Sequence, residues 1–262
     1  MVRTPYRAIM LLVWILIHIG FVGLAVYSCI ESRPPTREEA FPSGEMVIGV
    51  DASFPPFAVD NGAGLFGLDI DLGNALAAEM NLPVRFVNMG YDGLYDAVID
   101  GQVDMVISAL LVNPARTQEV RYTRPYFDNG LTLITTVGSP IDRMTDLPSR
   151  ALALEYGSAA QAQARFWLRR LDAFEVYPYE LPQYALDAVR LGEADAALVD
   201  TTTYYLYQTA HPDWQSEANR YNNAFYSIAI RIDRDATWEW VDKAVGSLQF
   251  DGRLAVIIDK WL

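Results

Sequence analysis

Several side chains in this sequence suit the capture of a small charged molecule. Asp51 follows the apolar run Met46-Val47-Ile48-Gly49-Val50, and Asp200 follows Ala196-Ala197-Leu198-Val199. A carboxylate at a strand end suits a cation, and a buried one needs such a partner. Arg116 follows Asn113-Pro114-Ala115, and a planar guanidinium can hold both oxygens of a carboxylate. Gly157-Ser158 stands between a strand-like and a helix-like stretch, where backbone N–H groups and a hydroxyl can meet an anion. Each has a plainer role open to it. Asp200 and Ser158 are good helix N-caps, and Asp51 suits the turn before Pro55-Pro56.

Covalent chemistry is poorly supplied. Cys29 is the only cysteine; the two histidines are His18, in an apolar stretch, and His211, just before Pro212. A disulfide within the chain and a cysteine zinc cluster are excluded. A histidine metal site or a serine–histidine triad is not expected. The reading is binding, with no catalytic residue, no metal and no cofactor. A net charge of −13 argues against nucleic acid, since phosphate contacts need a basic face.

The elements that must position these residues are α/β. Met46–Val50 reads as a buried strand, Leu68, Leu72, Ala75 and Leu76 recur at helical spacing, and Val84–Val87 is the next strand. Asp69 and Asp71 fall in that helix's first turn, where the dipole favours negative charge. Strand, helix, strand implies a parallel pair with a right-handed crossover. An internal echo follows. Asp96-Ala97-Val98, Gly101 and Asp104 precede the strand Met105-Val106-Ile107. Asp187-Ala188-Val189, Gly192 and Asp195 precede Ala196–Val199 at the same spacing. Two similar units imply two lobes. Leu131–Thr136 and Phe225–Ile230 flank the second unit and are strand-like, so they are expected to cross between lobes. Ligands of open α/β sheets sit beyond the strands' carboxyl ends, here Asp51, Ser108-Ala109, Gly157-Ser158 and Asp200.

Arg3 and Arg7 precede an uncharged stretch from Ala8 to Ile30. A basic flank before an apolar run is an export signal, and this one is long enough to span a bilayer, which takes ~20 apolar residues. Two outcomes fit: a retained anchor, or a signal cleaved before Cys29. Residues 1–28 are thus a signal peptide or membrane anchor. Residues 29–44, polar and proline-containing, read as a tether that lets the body move. Lobe one is expected at 45–128 and 226–262, and lobe two at 129–225.

The motifs resemble those of the bacterial family 3 extracellular solute-binding proteins, the polar amino-acid receptors of ABC importers. The resemblance runs over roughly residues 44–262. It is carried by Asp51-Ala52-Ser53-Phe54-Pro55-Pro56-Phe57 with Gly67–Leu72, and by Tyr91-Asp92-Gly93-Leu94. Asn113-Pro114-Ala115-Arg116 through Tyr126–Gly130, and then Leu198-Val199-Asp200, complete it. It implies a two-lobed periplasmic-binding-protein-like α/β fold, each lobe a mainly parallel sheet flanked by helices, joined by two hinge strands. It implies that Arg116 grips a ligand carboxylate, that Asp200 meets the ammonium, that Asp51 meets the ligand side chain or the ammonium, and that Phe54 and Tyr91 sandwich the ligand. Gly157, Ser158 and the variable Glu155 complete the lobe-two wall.

The sequence departs from the family at Ala109 and Leu111, after Ser108, where glycine and a hydroxyl residue are usual, and at Ala159 and Ala160. Backbone contacts survive such changes, while side-chain hydrogen bonds do not. Asp51, Glu155 and Asp200 outnumber Arg116, which favours a basic or neutral polar amino acid. Val26-Tyr27-Ser28-Cys29 resembles a lipobox, making Cys29 the expected lipidation site. The implied partners are an amino acid, an ABC permease and the membrane, with the protein a monomer outside the cell. A prephenate or arogenate dehydratase, which shares the fold, and a ligand sensor for a signalling partner are the alternatives.

Overall fold

The computed structural model describes Met10, residues 14–19 and residues 33–262. The expected lipidation site, Cys29, lies outside the described residues. Among the described residues no helix is long and apolar enough to cross a membrane.

In chain order, α1 (Arg37–Ala40) leads into β1 (Met46–Val50). A small ribbon follows, made of β2 (Ser53–Phe54), β3 (Ala58–Asp60) and β4 (Leu65–Phe66). Next come α2 (Leu68–Met80), β5 (Val84–Asn88), α3 (Leu94–Ile99), β6 (Met105–Val106) and β7 (Val120–Tyr122). The chain crosses at β8 (Phe127–Asp128) and builds the second lobe. That lobe contains β9 (Leu131–Thr136), β10 (Ala151–Glu155), α4 (Ala159–Leu168), β11 (Glu175–Tyr179), α5 (Pro182–Arg190), β12 (Ala196–Asp200), α6 (Thr201–Ala210) and β13 (Ser216–Arg220). It returns through β14 (Phe225–Tyr226) to β15 (Ala229–Arg231), α7 (Asp235–Phe250) and α8 (Arg253–Trp261).

Both five-stranded sheets are mixed and share one plan. Lobe one runs β5-β1-β6-β15-β7 and lobe two β11-β10-β12-β9-β13. In each, three strands pair in parallel, as strand–helix–strand crossovers require, and two antiparallel strands extend one side. Both faces are covered. In lobe one, Ile48 and Val50 pack with α2, α7 and α8, while Val47 and Val106 pack with α3. In lobe two, Leu152 and Leu154 face α4, and Ala153 and Ala197 face α5 and α6. A side chain such as Leu72 or Leu198, fully buried, contributes roughly 1.5–3 kcal/mol each.

The internal echo has a physical basis. Gly101 and Gly192 both adopt positive φ, 73° and 77°, as the chain leaves its helix. The aspartate that follows then does the same work twice. Asp104 Oδ2 accepts the Val47 N–H at 2.9 Å, and Asp195 Oδ2 accepts the Ala151 N–H at 2.8 Å. Each aspartate closes off the start of its lobe's central parallel strand.

Two expectations need correction. The interlobe crossing is narrower than the strand-like runs suggested. Leu131–Thr136 lies wholly in the second sheet, and the crossing pair is β8 with β14. Gly130, beside it, is confined. A Cβ there would stand 1.9 Å from the Asn222 carbonyl oxygen. The tether expected over 29–44 is also not free along its whole length. Thr36 and Glu39 form a reciprocal capping box on α1. Ala40 and Phe41 are buried in lobe one's core. Thr237 Oγ1 donates to the Ala40 carbonyl at 2.7 Å, and Trp240 Nε1 to the Pro35 carbonyl at 2.9 Å. Residues 35–41 therefore belong to the folded body.

Candidate ligand cleft

The carboxyl ends of β1 and β6 form the lobe-one wall. The Asp51 N–H donates to Ser108 Oγ at 2.9 Å, tying the two strand ends together. Asp51 Oδ1 accepts from the Ser53 N–H at 3.0 Å and the Ser53 hydroxyl at 2.6 Å. Its turn role is thus realised, with Oδ2 outside those bonds. Tyr91 is 47% exposed, and burial, then Tyr122 and Asp51, push its hydroxyl's pKa up. Phe54 is 48% exposed and stacks on buried Phe57 at 5.6 Å. Its outer face is free to meet a ligand.

Ala109 sits at φ +45°, which explains why glycine suits this position and where this chain bears strain. Its N–H is shared between Asp69 Oδ2 at 2.7 Å and the Tyr126 hydroxyl at 3.1 Å. Leu111, 47% exposed, forms an isolated bridge to Tyr226 of the return strand. Arg116 ends a one-turn helix begun by Pro114 and capped by Asn113. Its Nη1 donates to Glu119 Oε2 at 2.8 Å, and its guanidinium lies 5.0 Å from the centre of the Tyr95 ring. This fixes one nitrogen while the side chain stays 39% exposed.

In lobe two, Ser158 accepts from the Gln161 N–H and Asp200 from the Thr203 N–H, so both act as N-caps. Asp200 Oδ2 also accepts from the Thr203 hydroxyl at 2.7 Å. Gly157, at φ 77°, donates its N–H to Gln161 Oε1, and Ala159 begins α4. The capping roles do not remove the carboxylate of Asp200 from the strand end. Glu155, last residue of β10, has its pKa raised by burial and then by Asp200. Asp200 thus acts on Glu155 within lobe two, as Asp51 acts on Tyr91 within lobe one.

Residues missed at the sequence level form the wiring behind these walls. Asn129 Oδ1 accepts from the N–H and hydroxyl of Thr202, beside Asp200, and Asn129 Nδ2 donates to the Tyr226 hydroxyl at 2.8 Å. Burial, offset by that bond, pushes the Tyr226 pKa up to about 12, with Asp200, Asp69 and Tyr91 adding to the rise. Tyr226 thus senses groups of both lobes. Phe54 and Tyr91 stand half-exposed on the lobe-one wall. An apolar cavity of about 360 Å³, between Pro34, Pro35 and α7, belongs instead to the docked N-terminal segment.

Residues 46–262 match the family of bacterial extracellular solute-binding proteins, family 3. The chain belongs to this family. It is similar to the ABC transporter arginine-binding protein 1 of Escherichia coli (strain K12), 26% identical over 219 residues, covering 81% of this chain and 88% of the relative. It is 28% identical over 216 residues to that organism's lysine/arginine/ornithine-binding periplasmic protein, covering 78% and 82%. The L-cystine solute receptor of Neisseria gonorrhoeae, in its unliganded open conformation, shares the fold. Its TM-score is 0.75 at 19% identity, over 86% of this chain and 94% of the other. The family and these relatives bind or receive solutes, and the chain's work is binding outside the cytoplasm.

Proposed function

We infer that this protein is the receptor of an ABC importer and closes its lobes on an amino acid with a basic side chain. Arg116 takes the α-carboxylate with the part of its guanidinium that Glu119 leaves free. Asp200, with Asp51 opposite, takes the α-ammonium, while Phe54 and Tyr91 cover the ligand's apolar stem. Ser108 and the backbone of Ala109 and Leu111 line the carboxylate end, and Gly157, Ser158 and Ala159 form the far rim.

The observation that carries the basic-ligand reading is Glu155. Burial and then Asp200 raise its pKa, and no cation among the described residues offsets them. A ligand cation placed beside it relieves that repulsion. The arginine- and lysine-binding relatives support the same class. Closure is a population shift driven by contacts made only when both walls meet the ligand. Cys29 with its acyl chains, or the uncleaved apolar stretch, holds the body at the membrane, where it meets the permease as a monomer.

Calorimetry with L-arginine, L-lysine, L-glutamine and L-glutamate tests the reading. Arginine or lysine is expected to bind without turnover. Arg116→Ala is expected to weaken binding about 100-fold or more with an unchanged melting curve. Equal affinity in that variant removes Arg116 from the site, and glutamate preferred over arginine removes the basic-ligand assignment. Mass spectrometry of the mature chain tests Cys29: loss of residues 1–28 with acyl chains gained is the expected result.

A further inference from the structure

Asp69 is a carboxylate with 0% exposure, in the first turn of α2. Its two oxygens hold two different parts of the molecule. Oδ2 accepts the Ala109 N–H at 2.7 Å, and Oδ1 accepts the Tyr126 hydroxyl at 2.8 Å. Ala109 is the residue at φ +45°, a conformation that L side chains rarely adopt and that its surroundings must impose. Tyr126 directly precedes the crossing strand β8, and its N–H donates to the Tyr226 carbonyl at 2.9 Å. The turn after Ala109 is itself bound to the return strand. The Val112 N–H donates to the Phe225 carbonyl, and the Ser227 N–H to the Leu110 carbonyl. One buried carboxyl group thus sits where the floor of the cleft meets both chains of the hinge.

We propose that Asp69 is the positioning residue of the cleft: it holds the Ser108–Leu111 turn in its ligand-accepting shape and locks that turn to the hinge through Tyr126. The proposal rests on the reading of this cleft as the ligand site. Charge is what makes the grip effective, because an ionised carboxylate accepts both bonds at full strength. A proton on Asp69 turns one oxygen into a donor, so the Tyr126 hydroxyl must reverse from donating to accepting. The turn is then held less firmly.

Burial raises the Asp69 pKa to about 7, with the bonds from Tyr126 and Ala109 opposing the rise. The titratable groups facing it are Tyr126 and Tyr226, both neutral in this range. Ligand affinity therefore climbs as pH rises through about 7. Fold stability runs the other way. The folded-state pKa lies above that of the unfolded chain, so stability is greatest below the unfolded value and declines as pH rises toward the folded one.

Two measurements test this together. NMR of the ligand-free protein follows the Ala109 amide proton from pH 5.5 to 8.5. Calorimetry follows L-arginine affinity over the same range. In the wild type the amide is expected to titrate with a midpoint near 7, and affinity to rise about fivefold. In Asp69→Asn the amide profile is flat and the affinity step near 7 is lost. In Tyr126→Phe, which loses only the hydroxyl, the midpoint moves to higher pH, so the assignment stays open to refutation even where Asp69→Asn does not fold. An Ala109 amide that ignores pH, or that titrates unchanged in either variant, overturns the role of Asp69. Failure of arginine to bind the wild type, with the amide titrating as expected, overturns the ligand reading and leaves Asp69 as the pin of the turn.

Discussion

The two lobes follow one strand order but finish their cleft walls differently. In lobe one, polar groups near the cleft are tied down from within: Asp51 by Ser53, Arg116 by Glu119, the Ala109 N–H by Asp69. That wall is set before any ligand arrives. In lobe two, Ser158 and Asp200 are fixed by helix caps, but burial and then Asp200 raise the Glu155 pKa, and no cation among the described residues offsets them. One wall is preorganised and the other carries unrelieved repulsion. The difference teaches how closure can be ligand-dependent. On the proposed basic-ligand reading, lobe two gains from swinging inward only when something positive lies between the walls.

The hinge between them offers the largest test of this comparison. Gly130→Ala forces a methyl to within 1.9 Å of a backbone carbonyl that cannot rotate away. A loss of ~3 kcal/mol is expected in urea unfolding, or a displaced hinge if the fold survives. Gly138→Ala, where a Cβ meets nothing but φ is +79°, gives a reference for backbone strain without a clash.

The paired aspartates give a smaller and sharper test. Asp104→Ala and Asp195→Ala each strip the N–H of a strand start, at a cost of about 1–3 kcal/mol. Asp104 is the more enclosed, with 19% side-chain exposure against 37%, and burial raises its pKa. Its replacement is expected to cost more, as read from denaturation midpoints. Equal losses break the link between the enclosure of the aspartate and the strength of its hold on the strand start.

The smallest effect concerns the unrelieved wall. A basic ligand lowers the raised pKa of Glu155, so arginine affinity is expected to fall as pH drops into the acid range through that pKa. Glu155→Gln removes this acid limb and weakens arginine about tenfold at neutral pH, equivalent to ~1.4 kcal/mol. A calorimetric profile unchanged by the substitution takes Glu155 out of the site.

Much of this was legible in the sequence because it is written in local pattern. Gly101 with Asp104 and Gly192 with Asp195 show as spaced identities, since each performs a local backbone task. The strand ends at Asp51 and Asp200 show as breaks in apolar runs. The crossing point was read too broadly at Leu131–Thr136. A run of β-formers looks the same whether it bridges two lobes or lies within one sheet. Asp69 does stand in the first turn of α2, as its position implies, but its second role leaves no local trace. A first-turn aspartate satisfies the helix dipole in either setting, and only tertiary packing decides that this one is sealed beneath Ala109 and Tyr126. The docked segment did leave a trace. Thr36-Arg37-Glu38-Glu39 carries the capping-box spacing, followed by the apolar pair Ala40-Phe41. Flanking prolines and charges drew the reading toward a tether.

That docking changes the geometry of any attachment upstream. With Pro35 hydrogen-bonded to α7, only residues 31–34 lie between the apolar stretch ending at Ile30 and the folded body. Four residues at full stretch reach ~14 Å. Buried Phe41 of the docked segment shares lobe one's core with Met46, the end of β1 opposite Asp51. Under the proposed membrane attachment, a leash this short lets the body swivel more than it travels.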